Sequence, residues 1–351
     1  MNYIVAANGG MYCFYNKSGG LFWREKLGEN WSEPKIFRQD GLVNFTVSLC
    51  EGKILVLCQS ANKVERFLFY NGNFENGVLV EGGLEGRYYG LALEDDTFLV
   101  HNIPVNGQNS QILMSHRITP GGLWTDSRHL GRIIPLGPNN PYEIVPVANQ
   151  HFLLFYQAQG GNYSGDLGYR EVFGHMMGDF NIIHPNSGIS GSYHSFLATK
   201  YAVHMVYMTK GLLAPALVYR RKDSAGLGAK ITVATGQNVH NPLLYMEGGR
   251  LNLLFMRGDE LFSCNFNDSG DAPNISPPKN MGINTANLTR SRFLCENRSE
   301  ISFFANELPV SREKPWEIRV LDVREERPEA RVSGAVQIGS QEEYDSFFDE
   351  L

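Results

Sequence analysis

The sequence predicts an all-β fold: a seven-bladed β-propeller built from four-stranded antiparallel blades. Three observations predict it. Short apolar or aromatic runs recur along the 351 residues at spacings of 42 to 54, a period typical of propeller repeats. Each spacing contains several strand signals separated by Gly, Asn, Asp or Lys turns. Glycine occupies 37 positions and aromatics 12%, while charged residues are only 19%, a composition of many strands joined by tight turns. No 3.6-residue apolar period runs for twelve residues before the C-terminus, which argues against helical and βαβ nucleotide folds.

The anchors are Met11–Phe14, Ile54–Leu57, Phe98–Val100, Phe152–Tyr156, Val203–Tyr207, Leu251–Phe255 and Ile301–Phe304. They set units of about 1–41, 42–84, 85–137, 138–188, 189–238, 239–282 and 283–332, one domain in all; a six-bladed ring follows if a terminal unit is misread. Unit two shows the content of a blade. Asn44–Leu49, Lys53–Gln59, Val64–Tyr70 and Phe74–Val80 read as strands, with turns at Glu51-Gly52, Ala61-Asn62 and Asn71-Gly72-Asn73. Unit five repeats the pattern at 193–199, 202–208, 216–221 and 230–234. The second strand of each unit is apolar almost without alternation, as expected for a strand covered on both faces. Residues 1–7 either complete the last blade or form the inner strand of the first. At 333–351 the chain becomes an acidic tail. Tyr344, Phe347, Phe348 and Leu351 fall on one helical face, predicting a short C-terminal helix docked on its own propeller or offered to a protein partner.

Thirty-one basic against thirty-seven acidic residues leave a net charge of −6. That argues against a nucleic-acid partner or a polybasic membrane patch. No apolar stretch approaches a membrane span and no export signal opens the chain, so a cytoplasmic protein is expected. The five cysteines are scattered through strand-like runs and read as buried thiols. No Cys/His cluster points to a metal, and no cofactor is expected. Asn267–Asp271 resembles part of a calcium loop but lacks the later bidentate Glu. Gly160–Gly165 lacks the helix and Gly-Lys-Ser/Thr ending of a phosphate loop. Asp95-Asp96 reads as a solvated turn, and His151 and His204 as core residues.

Gly20-Leu21-Phe22-Trp23 followed by Asn30-Trp31-Ser32-Glu33-Pro34, and Gly121-Gly122-Leu123-Trp124-Thr125, resemble units of sialidase-like propellers, where a Trp-Ser-x-Pro phrase closes a blade. The resemblance covers most of the chain at the level of period and implies the fold. The family's Asp-box is not intact in any unit. Its Phe-Arg-Ile-Pro motif is also missing, since Ile36-Phe37-Arg38 continues into Gln39-Asp40. The resemblance therefore implies no activity and assigns no catalytic residue.

A propeller gathers ligands over its central channel, where the innermost strands bring their starts together. Those starts read Asn44-Phe45, Arg87-Tyr88-Tyr89, Tyr142-Glu143, Tyr193-His194, His240-Asn241 and Asn287-Leu288-Thr289-Arg290. The candidate ligand-binding residues are Arg87, Tyr88, Tyr142, Tyr193, His194, His240, Asn241 and Arg290. Tyrosine rings stack on sugars or apolar side chains, and arginine grips carboxylate or phosphate in two-pronged fashion. The expected function is a non-catalytic propeller that recognises a glycan or peptide at the channel mouth. One alternative is a divergent glycoside-processing enzyme using Glu143 with His194 or His240. Another is an intracellular interaction scaffold docking through residues 341–351.

Overall fold

The computed structural model describes residues 2–315, apart from 71–72, 83–85, 93–95, 106–109, 120, 137–140, 149, 161–164, 175, 186–193, 200, 210–213, 268–273 and 296–302. Among the described residues there are strands and no helix. The 341–351 segment, for which a helix is expected, lies outside them, as do Tyr193 and most of the Gly160–Gly165 and Asn267–Asp271 turns.

Antiparallel strands follow one another along the chain in six groups, called sheets below, of which the third and fourth are hydrogen-bonded into one nine-stranded sheet through residues 132–134 and 157–159. The first pairs β1 (Asn2–Ala7), β2 (Gly10–Lys17), β3 (Gly20–Leu27) and β5 (Lys35–Arg38), with the short β4 (Asn30–Trp31) beside β3. The second runs β6 (Asn44–Cys50), β7 (Lys53–Gln59), β8 (Lys63–Tyr70) and β9 (Asn73–Glu81). The third runs β10 (Tyr88–Ala92), β11 (Thr97–Pro104), β12 (Gln111–Ile118) and β13 (Trp124–Ile134). The fourth has β14 (Glu143–Ala148), β15 (His151–Gln159), β16 (Leu167–Phe173) and β18 (Asn181–His184), with β17 (Met176–Met177) on β16. The fifth has β19 (His194–Ala198), β20 (Val203–Thr209), β21 (Ala216–Asp223) and β23 (Ile231–Thr235), with β22 (Gly226–Leu227) on β21. The sixth has β24 (Val239–Glu247), β25 (Arg250–Arg257), β26 (Glu260–Asn267) and β28 (Lys279–Asn284), with β27 (Asn274–Ile275) on β26.

Local chemistry sets the hairpins. Asn8-Gly9, Ser18-Gly19, Glu51-Gly52 and Gly248-Gly249 each join two strands in two residues, and both members of each pair have φ between 51° and 78°. Positive φ at both positions matches the turn to the strand twist. The second strands are covered on both sides, which is why their sequences barely alternate: Ile54–Gln59 is buried throughout, as is Leu251–Phe255.

Apolar clusters join each sheet to the next and close the set. Tyr3, Phe14, Phe45 and Val56 pack sheets one and two together. Leu57, Tyr88 and Leu99 join two to three, and Val100, Leu113, Ile144 and Leu154 join three to four. Phe155, Tyr169, Phe196 and Met205 join four to five, and Val206, Tyr219, Leu244 and Phe255 join five to six. Leu243, Tyr245 and Leu254 of sheet six meet Ile4, Cys13 and Tyr15 of sheet one, with Phe293, Leu308 and Val310 between them.

Those last three residues belong to the final described unit: β29 (Leu288–Cys295), β30 (Phe303–Ala305) and β31 (Glu307–Ser311). β29 pairs antiparallel with β31 and parallel with β1, while β30 pairs with β24. Residues 2–7 thus form the first strand of sheet one.

A corner recurs in sheets one, four and five. Arg24, Arg170 and Arg220 on the third strand donate to the carbonyls of Ser32, Gly178 and Gly228, each eight residues on. Arg24 and Arg170 also donate to the Tyr15 and Tyr156 hydroxyls on the second strand. In the same corners the amides of Ser32, Gly178 and Gly228 close on Glu25, Glu171 and Arg221. Asp96 departs from the solvated turn expected of it. It is 8% exposed and ion-paired with Arg117, because β12 brings that guanidinium alongside the turn.

Candidate functional site

The first strand of one sheet approaches the first strand of the next. The Thr46 hydroxyl donates to the Tyr88 carbonyl (3.3 Å), and Ser195 Oγ accepts from the Leu244 amide (3.0 Å). The final unit is tied to the same strands. Arg290 Nη2 donates to the His194 carbonyl (3.2 Å), and Asn306 Nδ2 donates to the Phe196 carbonyl (2.5 Å). Polar side chains that open β14, β19 and β29 therefore converge.

Glu143 is the centre. Its Oε2 accepts from Arg292 Nη2 at 2.5 Å, both side chains being 8% exposed. His194 Nε2 stands 3.8 Å from the same oxygen, beyond hydrogen-bond reach. Arg290 is ion-paired with Glu307. Tyr142 Oη donates to the Val100 carbonyl (2.9 Å) and lies 3.3 Å from the Arg87 carbonyl.

The electrostatics follow from burial and pairing. Burial would raise the Glu143 carboxyl, but the Arg292 charge and His194 outweigh it and hold it below the ordinary range. Burial would lower Arg292, but Glu143 overrides it and the guanidinium is raised. Burial lowers Arg290 to about 10, with Glu143 opposing the shift and Arg292 adding to it. Arg87 is lowered by burial, with the Tyr3 and Tyr142 phenols opposing. Burial raises Tyr142, and the neighbouring Tyr89 and Tyr3 add to it.

Glu143, His194, Ser195, Phe196, Arg290, Asn306 and Glu307 line a hollow of about 40 Å³, space for about three waters. Two nitrogens there are buried without a hydrogen-bond partner among the described residues: Arg290 Nε and His194 Nδ1. A guanidinium N–H can only donate, so the Arg290 Nε in the wall of the hollow is a donor without an acceptor. Arg290 keeps 22% of its side chain exposed.

The structure brings Glu143, His194 and Arg290 together in this hollow; Tyr142 meets the Arg87 carbonyl, and neither residue is part of the lining. It separates Tyr88, His240 and Asn241 from the hollow. Tyr88 stacks on His101. His240 Nε2 lies 3.1 Å from the Gly258 carbonyl and Asn241 Nδ2 3.4 Å from Met256 Sδ, both within the sixth sheet. The cause is a bulge: Asn241 has φ +48°, and the β24–β25 register slips between His240 and Leu243. Sequence reasoning missed Arg292, Asn306, Glu307 and Tyr3. Among the described residues no group of three or more His, Cys, Asp or Glu side chains gathers in a way that could hold a metal. No helix among them is long and apolar enough to cross a membrane.

No protein-family model matches the chain, and no curated protein matches it significantly. Solved structures do match. One is a polysaccharide lyase of family PL25, an ulvan lyase bound to a GlcA–Rha3S saccharide. It has a TM-score of 0.53 and 8% identity, over 88% of this chain and 90% of that one. A subtype N10 neuraminidase-like protein from a little yellow-shouldered bat isolate gives 0.44 and 11%, over 78% and 94%. An uncharacterised protein of Listeria monocytogenes gives 0.45 and 11%, over 80% and 84%. Of these three, the ulvan lyase alone aligns with a TM-score above 0.5. At these identities the likeness concerns fold alone.

Proposed function

We propose that the protein is a non-catalytic binding propeller that holds an anionic group of a glycan or peptide at the mouth of its central channel. One observation carries the reading: Arg290 and His194 line a polar hollow, and each holds a buried nitrogen, Nε and Nδ1, without a hydrogen-bond partner among the described residues. A buried donor left unmade costs about 1–3 kcal/mol, and an incoming carboxylate or sulfate oxygen would remove that cost for Arg290. The hollow admits such a group and not a whole sugar ring, so the rest of the ligand lies across the rim. An acidic glycan is the favoured class, since the ulvan lyase that shares the fold was solved with a glucuronate-bearing saccharide.

In this reading the ring has six four-stranded blades, and the seventh place is taken by β29, β30 and β31. Cys13, Cys50, Cys58 and Cys264 are free thiols, which fits a reducing compartment such as the cytoplasm. A scaffold role for residues 341–351 stands as a separate proposal, tested by deleting them and measuring co-purification.

The glycoside-processing alternative is less favoured. A general acid needs a carboxyl raised enough to keep its proton. Glu143 is pushed the other way by Arg292, and Glu307 is tied to Arg290.

The test is an array of uronate- and sulfate-bearing oligosaccharides, their neutral counterparts and acidic peptides, probed with wild type and Arg290→Gln. Acidic ligands should bind in preference to neutral ones, and Arg290→Gln should weaken them about tenfold or more, the loss expected for one charged hydrogen bond. Equal binding of neutral ligands, or equal binding by the variant, would remove the reading.

A further inference from the structure

The four main strands of the third sheet carry one ring each in a single row. Tyr88 on β10 stacks on His101 on β11, with centroids 4.9 Å apart and planes 13° apart. His101 stacks on His116 on β12 at 4.9 Å and 11°. His116 leans against Trp124 on β13 at 4.7 Å and 59°. The row lies in the seam between sheets two and three. Tyr88 and Trp124 pack there with Leu55, Leu57, Leu99 and Ile118, and Trp124 Nε1 donates to the Leu79 carbonyl on β9.

The two imidazoles have little to stabilise a charge. His101 is 7% exposed and His116 8%. His116 Nδ1 meets the Ser127 hydroxyl at 2.8 Å. His101 Nδ1 and His116 Nε2 are buried without a hydrogen-bond partner among the described residues. Tyr88 is the other titratable group against the row, and its phenol is raised by burial. The charges on the strands packed there are paired elsewhere: Asp96 with Arg117, Asp126 with Arg128, and Glu65 with Arg38 and Lys63. Neither these groups nor Arg66, Glu75, Glu81, His129 and Arg132 on the same strands contribute to the state of either imidazole.

We propose that this ring row is an acid-sensitive seam: protonating either imidazole loosens the contact between the second and third sheets. A cation placed between stacked aromatic rings and leucines loses its hydration and gains no counter-charge. Two cations stacked face to face add repulsion. Burial lowers His101 from 6.5 to about 4, with the charge of His116 adding to the shift, and burial lowers His116. Both histidines are thus held below their unfolded value. Their contribution is complete above about pH 6.5 and is lost as the pH falls toward the folded-state values. A shift of that size for His101 corresponds to an opening constant rising on the order of 10²-fold. The opening would reach the channel, because Tyr88 directly follows Arg87, whose carbonyl faces the Tyr142 hydroxyl. The proposal does not depend on the ligand reading.

The experiment compares urea unfolding of wild type and the His101→Phe/His116→Phe double variant at pH 7.5 and pH 4.5. Phenylalanine keeps the ring row and cannot be protonated. The wild-type unfolding constant should rise on the order of 10²-fold more than that of the variant across this interval. In parallel, the imidazole Cε1–H resonances of intact wild type are titrated by NMR and assigned with single His→Phe variants; His101 should titrate below pH 5. An equal rise in the variant, or titration of His101 near pH 6.5, overturns the proposal. The NMR titration decides it if the double variant fails to fold.

Discussion

Replacing Glu143 with Gln tests the energetics of the channel cluster most directly. The substitution keeps the side-chain volume, so no cavity forms. It removes the charge facing Arg292, whose side chain is 8% exposed and lies 149 residues away in sequence. Breaking a buried pair on one side costs about 3–5 kcal/mol, because the remaining ion stays desolvated without its counter-charge. Glu143→Leu combined with Arg292→Met removes both charges, and should return stability to within about 1 kcal/mol of wild type. The assay is equilibrium urea unfolding of wild type, Glu143→Leu, Arg292→Met and the double variant, read as a thermodynamic cycle, with Glu143→Gln measured beside them. The coupling should exceed about 2 kcal/mol. The pH dependence supplies a second reading. The Glu143 carboxyl sits below its ordinary value of 4.5, so its contribution is complete above that pH and disappears as the pH falls through the folded-state value. Glu143→Gln should lack that part of the acid sensitivity. A loss under about 1 kcal/mol in Glu143→Gln, or a double variant as unstable as the singles, would refute the reasoning.

Three further outcomes follow from the geometry. Arg170→Met removes donors from the Gly178 carbonyl and the Tyr156 hydroxyl, and Arg220→Met removes donors from the Gly228 and Ile183 carbonyls; each should cost about 2 kcal/mol in urea unfolding, and the two costs should add. Gly86 has φ +91° and a Cβ there would run into the Asn102 carbonyl, whereas a Cβ on Gly178 has nothing nearer than 3.6 Å; Gly86→Ala should lower the urea midpoint sharply while Gly178→Ala stays within about 1 kcal/mol of wild type. Burial pushes the Cys13 and Cys58 thiols to about 12 and Cys264 to about 11; iodoacetamide at pH 8 should leave these three unlabelled in the native protein and label them in urea, as read by peptide mass spectrometry.

The all-β class was legible because the turns and the second strands carry strong local signals. Ile54–Leu57 is apolar without alternation, and both of its faces are covered. Much of the polar cluster was legible for a topological reason: Glu143, His194 and Arg290 stand at or near the starts of first strands, and adjacent sheets bring those starts together. His240 and Asn241 stand at an equivalent place, but a bulge with a left-handed Asn turns them into their own sheet. The Asn241-Pro242 step is its sequence trace, since proline cannot donate to a strand ladder. Arg292 had a readable sign. Arg290 and Arg292 are two apart on one strand and share a face, just before the apolar Phe293-Leu294. Glu307 and Asn306 had none, because their place depends on how β31 returns against β29. The Asp96–Arg117 pair was likewise hidden, since its partners meet only across the β11–β12 pairing.

The final unit explains why the site sits where it does. The contact between the last sheet and the first is already served by apolar packing, with Phe293, Leu308 and Val310 in the cluster that joins sheets six and one. The same unit also carries Arg290, Arg292, Asn306 and Glu307 toward sheets four and five. Those polar contacts are an expensive way to hold strands together, since well-packed apolar residues of similar volume often match or exceed a buried ion pair. A unit selected for closure alone would have had no use for a guanidinium whose Nε is left unmade in a polar hollow. The arrangement makes sense if closing the ring also completes the site. On that view the hollow exists only when β29 is paired with β1, and a bound anion on Arg290 would stabilise the closed ring by mass action.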